Sequence, residues 1–148
     1  MAISKYNSEG YHDPTTYEAL KNIEKEEWKM SRSDKSDEFR PLVYICSPYR
    51  GDTEKNVEKA RQYSRFAIEN KAIPIAPHLL YPQFMDDSNP EERYIATHII
   101  NYVLVGKCQE LWIFGDGISE GMAREMALAE KRRMKIRYFT ETMEEITR

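Results

Sequence analysis

Short apolar, β-branched runs alternate with longer segments of helical spacing, and the alternation begins only at residue 41. Pro41-Leu42-Val43-Tyr44-Ile45-Cys46 is the first run, and its length and composition predict a buried strand. Residues 53–70 carry Val57, Ala60, Tyr63, Ser64 and Ala67 at helical spacing. Ala72-Ile73-Pro74-Ile75-Ala76 is a second short run, its proline marking a strand's start or edge. Residues 79–90 hold two prolines and no clear period, which predicts a long loop. Residues 91–107 predict a helix with Tyr94, Ile95, His98, Ile99, Tyr102 and Val105 on one side. A third strand follows at Glu110–Gly115, and Ser119 opens a helix that runs to about Arg132. Lys135–Phe139 predicts a fourth strand, and residues 140–147 a last helical turn or two.

Before residue 41 the chain is polar, highly charged and free of strand-like runs. Asp13-Pro14 reads as a helix start, with Asp as N-cap and Pro at the first helical position. Tyr17, Leu20, Ile23 and Trp28 follow on one helical face, and residues 31–39 read as a flexible connector. This divides the chain into a helical arm and linker, residues 1–40, and an α/β domain, residues 41–148. An isolated helix of that length is marginal in water, so the arm is expected to pack on the domain or on a second subunit.

The β-α-β-α-β-α-β order implies a parallel sheet covered by helices on both faces, with right-handed crossovers. The expected fold is α/β, a small flavodoxin- or Rossmann-like three-layer arrangement. Its parallel sheet has four or five strands in the order 2-1-3-4, and the helical arm is added to it. Ligands of open α/β sheets bind at the carboxyl ends of strands flanking a topological switch point. Here that point lies between the first and third strands, so Ser47–Asp52 and Gly115–Glu125 are the segments of interest.

Composition narrows the function classes. The 148 residues carry 22 basic and 25 acidic side chains, for a net charge of −3. That balance argues against a surface that coats a nucleic acid polymer. No apolar run approaches the ~20 residues of a membrane span, and Met1–Gly10 lacks an apolar h-region. Two cysteines, Cys46 and Cys108, are too few for a disulfide framework or a four-thiolate zinc site. A cytoplasmic protein with buried thiols is expected, with no metal site and no cofactor.

The first loop, Ser47-Pro48-Tyr49-Arg50-Gly51-Asp52, places a hydroxyl and a guanidinium just before a helix. Arginine forks suit phosphate or carboxylate, and a helix N-terminus favours an anion. The segment reads equally as a turn with a surface arginine, and its glycine spacing fits neither a Walker loop nor a dinucleotide fingerprint. In the second loop Ser119 is a plausible N-cap. Glu125 falls at the edge of the apolar stripe centred on Met122, Met126 and Ala129, leaning toward the ligand side. A carboxylate there can be desolvated, with a raised pKa or a nucleophilic role; geometry alone also permits an ordinary exposed helical glutamate. Tyr44 is either core or a hydroxyl reaching the pocket. His78 follows the second strand on the same side. His12 and His98 lack metal-like partners.

Three segments together resemble the nucleoside 2-deoxyribosyltransferase-like superfamily, including its 2′-deoxynucleoside 5′-phosphate N-hydrolases and uncharacterised bacterial and phage relatives. They are Tyr44-Ile-Cys-Ser-Pro-Tyr-Arg50-Gly51, Ala76-Pro-His78, and Ser119-Glu-Gly121-Met-Ala-Arg-Glu125-Met-Ala-Leu-Ala129. The last is the most specific, and the resemblance spans about residues 41–139. It implies that Glu125 is the nucleophile attacking C1′ of the sugar, with Tyr44 near the reacting centre. It implies substrate contacts from Ser47, Tyr49, Arg50 and Gly51, from the pocket residue His78, and from Ser119, Gly121 and Met122. Ser119 would sit at a 5′-phosphate. The family usually carries an aspartate where this chain has Asn101, and an amide hydrogen-bonds but does not shuttle a proton at neutral pH.

The resemblance further implies a small-molecule nucleoside or nucleotide partner and a homo-oligomer, dimer or larger, with no membrane. The reading is N-glycosidic bond cleavage or base exchange through a glutamate nucleophile. Its first rival is a protein of the same fold that binds a nucleotide or signalling molecule without turnover. The second rival is an oligomeric structural protein with a vestigial pocket.

Overall fold

Strand β1 (Leu42–Cys46) is an interior strand of a sheet, and its alternating side chains feed two separate cores. The computed structural model describes residues 3–33 and 38–147. Two compact units divide the chain, Met1–Phe39 and Arg40–Arg148.

In the first unit, α1 (Pro14–Ser33) is a 20-residue helix. Asp13 caps it: Thr16 N–H donates to Asp13 Oδ1 at 3.1 Å and Thr16 Oγ1 to Oδ2 at 2.7 Å. An isolated bridge pairs Tyr6 with His12 just before it. The helix runs into the connector expected over residues 31–39. The middle of that connector, residues 34–37, lies outside the described residues.

The second unit is a five-stranded sheet in the order β2-β1-β3-β4-β5. Here α2 (Thr53–Glu69) follows β1 and leads to β2 (Ile73–Ile75), while β3 (Glu110–Phe114) precedes α6 (Glu120–Lys131) and β4 (Lys135–Phe139). These four strands are parallel, as the βαβ alternation requires. The fifth, β5 (Glu145–Ile146), is antiparallel to β4 and replaces the helical turn expected over residues 140–147. Two contacts across the turn favour the hairpin. Thr140 N–H donates to the Glu144 carbonyl at 2.9 Å, and the Arg137 guanidinium grips both carboxylate oxygens of Glu145 at 2.8 and 2.7 Å.

The two faces of the sheet follow the period-2 rule. Val43 and Ile45 of β1, Trp112 and Phe114 of β3, and Phe139 of β4 pack with Tyr63 and Ala67 of α2. Tyr44, Cys46, Leu111 and Ile113 point the other way, onto Met122 and Ala129 of α6 and Val105.

Half of the segment expected as a long loop is helical. It contains α3 (Pro77–Leu80), a 3₁₀ turn (Tyr81–Gln83) and, after a bend, the start of α4 (Pro90–Tyr94). Asn89-Pro90 is a cap followed by an N1 proline, and Asn89 Oδ1 accepts from Glu91 and Glu92 N–H at 3.0 and 3.4 Å. The run continues through a π-helical stretch (Ile95–Ile100) into α5 (Asn101–Lys107). A π turn closes i→i+5 bonds and breaks the 3.6-residue period. The single apolar side expected for residues 91–107 is therefore split: Val105 is buried, whereas Tyr94, Ile99 and Tyr102 are 57%, 50% and 52% exposed. Among the described residues no helix is long and apolar enough to cross a membrane.

Phe114 is the centre of the α2-side core, stacked on Tyr63 at 4.1 Å and Phe139 at 4.9 Å between ring centroids. Replacing it with alanine removes both ring contacts and leaves a cavity. Phe114→Ala is expected to lower the unfolding free energy by about 3–5 kcal/mol, measured by urea denaturation.

Candidate functional site

A cavity of about 340 Å³ opens at the carboxyl ends of β1 and β2, with the first turns of α6 forming one wall and the 77–101 segment the other. Both loops flagged at the switch point reach it. Ser47, Tyr49 and Arg50 line it from the first, and Ser119, Gly121, Met122 and Glu125 from the second; Tyr44, His78 and Asn101 complete the predicted set. Gly51 does not join them. It sits outside the lining with φ +98°, a backbone angle that glycine accepts in the turn before α2.

Glu125 is held by the fold on two sides. Tyr44 projects from β1 toward α6 because strand parity sends it to that face. Its hydroxyl donates to Glu125 Oε1 at 2.7 Å. Asn101, on the first turn of α5, donates its Nδ2 to the same oxygen at 3.2 Å. Both bonds fall on Oε1, leaving Oε2 outside them.

Burial pushes the Glu125 carboxyl up to about 7, against the smaller downward pull of Tyr44 and Cys46. Burial, reinforced by the Glu125 charge, holds the Tyr44 phenol well above its ordinary value. Tyr44 therefore stays protonated and remains a donor. The Cys46 thiol is likewise pushed well up by burial and lies in the core as a small apolar group.

His78, in the first turn of α3, sits 3.2 Å from Ser47 Oγ through Nε2. Burial draws it down to about 4, so it is neutral at pH 7. Its ring and that of Tyr49 lie 6.1 Å apart. With Pro77, Tyr81, Pro82 and Met85 they make an apolar, partly aromatic wall of the kind that stacks planar rings. Ser119 caps α6, its Oγ accepting from Met122 N–H at 3.2 Å.

Sequence reasoning missed the acidic side of the cavity. Asp86 and Asp87 line it from the segment read as a loop, and Glu92 from α4. Arg50 Nε and Nη2 donate to Asp87 Oδ2 at 3.1 and 2.9 Å. The first loop is fixed by Asn56 of α2, whose Nδ2 donates to the Tyr49 and Arg50 carbonyls at 3.2 and 3.0 Å. The Asn89-Pro90 pair was the available sign that this segment is structured. The Arg50–Asp87 pairing spans 37 positions and has no local sign. Among the described residues no three His, Cys, Asp or Glu side chains gather in a way that could hold a metal ion.

The raised Glu125 carboxyl has a consequence for stability. The folded state holds the proton more tightly than the unfolded chain. The contribution is therefore fully present below the ordinary value of 4.5 and is lost as pH rises toward about 7. Glu125→Gln removes that loss. The variant's stability advantage over the wild type should grow between pH 4.5 and 7 by on the order of 2–3 kcal/mol and then level off, as read by denaturant unfolding across that range.

Comparison with known proteins bears on the same segment of chain. The model of a domain of unknown function, DUF7768, matches residues 41–139. No curated protein matches the chain. A solved structure of a 2-deoxyribosyltransferase from the psychrotolerant bacterium Bacillus psychrosaccharolyticus is similar, with a TM-score of 0.52 and 19% identity, over 72% of this chain and 77% of that one. At that identity the likeness is one of fold.

Proposed function

The chain belongs to the DUF7768 family, and on that footing we propose that it cleaves or exchanges the N-glycosidic bond of a nucleoside or nucleotide, with Glu125 as nucleophile. One observation carries the reading: a half-buried carboxylate at the carboxyl end of the sheet, held by Tyr44 and Asn101 through one oxygen, beside an aromatic wall. The fold likeness to a 2-deoxyribosyltransferase supports it, as do the three motifs of the sequence.

In the proposed reaction, breaking the bond between C1′ and the base nitrogen builds positive charge on the sugar ring, and the bonding electrons leave with the base. A Glu125 oxygen bonds to C1′ from the opposite face, as the nucleophile does in retaining glycoside hydrolysis. The ester is then opened by water, releasing the sugar, or by the nitrogen of a second base, giving exchange. In either case the carboxylate is regenerated. Tyr44 and Asn101 orient Glu125 and keep Oε1 occupied. Tyr49, His78 and Tyr81 flank the base, and Ser119, Gly121 and Met122 form the floor beneath the sugar.

A binding protein of the same fold is the second reading. Asn101 favours it, since an amide beside Glu125 supplies no proton to a departing base. Base release separates the two.

With nucleosides and 5′-monophosphates as substrates and free base read by chromatography, the wild type should release base. Glu125→Ala should lower that rate by about a thousand-fold or more, and persistence of the rate in the variant would sink the nucleophile assignment. The attacking form is the carboxylate. For the wild type, kcat/KM should therefore rise about tenfold per pH unit up to about 7 and flatten above it.

A further inference from the structure

The cavity offers an incoming anion three cationic side chains, and two already face carboxylates of the chain itself. Arg50 gives Nε and Nη2 to Asp87 Oδ2 at 3.1 and 2.9 Å, and Nη2 also reaches the Asp87 carbonyl at 3.3 Å. Arg124 pairs with Glu120 one turn earlier on α6. Glu120 itself stands in the first turn of that helix, where free N–H groups favour a negative charge. The Ser119 hydroxyl oxygen already accepts the Met122 N–H. Arg93 is the lining arginine with no carboxylate partner among the described residues. Its chain neighbour Glu92 accepts the Asp86 N–H at 2.7 Å, which draws another carboxylate to the same wall. Asp86, Asp87, Glu92, Glu120 and Glu125 against three arginines leave a formal excess of two negative charges on the lining.

From this arrangement we infer that the cavity selects an uncharged nucleoside over its 5′-monophosphate, and that Asp87 is the specificity-determining residue. The inference rests on the nucleoside reading of the site given above. Both partners of the Arg50–Asp87 pair are substantially exposed, at 51% and 40%, so the strength of the pair itself is small. The discrimination comes from what stays behind. A phosphate that took the Arg50 fork would leave the Asp87 carboxylate uncompensated beside it, and like charges in contact oppose binding. A hydroxyl at the same position displaces nothing.

The test compares a 2′-deoxynucleoside with its own 5′-monophosphate on the wild type, on Asp87→Asn, and on Arg50→Met combined with Asp87→Asn. For the wild type, kcat/KM should favour the nucleoside by about tenfold or more. Asp87→Asn should narrow that ratio by about tenfold, through a gain with the monophosphate, because Arg50 is released. Adding Arg50→Met should remove the gain. Three results would each overturn the inference: a wild type that prefers the monophosphate, a ratio unchanged in Asp87→Asn, or a gain that survives loss of Arg50. Should no protein release base from either compound, the N-glycosidic reading fails. Calorimetric titration with the same two compounds then decides the specificity, with the same pattern expected in the Kd ratios. Absence of binding by both compounds overturns the two readings together.

Discussion

The bond from the Tyr44 hydroxyl to Glu125 ties β1, an interior strand of the sheet, to the helix that follows β3, across 81 positions of sequence. It fixes the distance between β1 and α6 at the end where the cavity opens. It also shields part of the carboxylate from water. Two effects then compete on Glu125. Burial favours the neutral form, and the donors around it favour the charged form. Burial wins, since the carboxyl ends near 7 rather than below its ordinary value. A carboxyl in that condition is close to balanced between its two forms at neutral pH.

The features that hold this bond were legible in the sequence to unequal degrees. The run Leu42–Cys46 specified a buried strand, and its parity put Tyr44 and Cys46 on one face, Val43 and Ile45 on the other. The helical stripe of Met122, Met126 and Ala129 placed Glu125 at its edge but left its exposure undecided, because covering it depends on Tyr44 and Asn101 from elsewhere in the chain. Residues 79–90 looked structureless because each of their elements is a turn or so long, too short to display a period. Residues 140–147 looked helical because nothing local signals the reach of Arg137 to Glu145.

The π-helical stretch Ile95–Ile100 is the clearest case of a local rule failing near the site. A 3.6-residue period carried through it would align Tyr94, His98 and Tyr102 with Val105. The i→i+5 geometry turns most of these outward. The same stretch ends at Asn101, whose amide meets Glu125. Such turns recur at functional sites because the change in register aims a side chain that a regular helix would direct elsewhere. Here Ala96 and Thr97 of the stretch line the cavity, and the residue after it touches the carboxylate.

Under the proposed chemistry the remaining question is where the departing base obtains its proton, and the neighbours of Glu125 constrain the answer. Tyr44 is pushed well above its ordinary value, chiefly by burial, and its proton is committed to Glu125. Asn101 has none to give. His78, drawn to about 4 by burial, is neutral where Glu125 is ionised, and its Nε2 is engaged with Ser47. None of the three is a ready acid at neutral pH. The cavity wall instead carries an excess of carboxylates over arginines, which favours positive charge within it. An arrangement of this kind lowers the barrier by stabilising the cation that forms on the sugar, and leaves protonation of the base to water entering the open end.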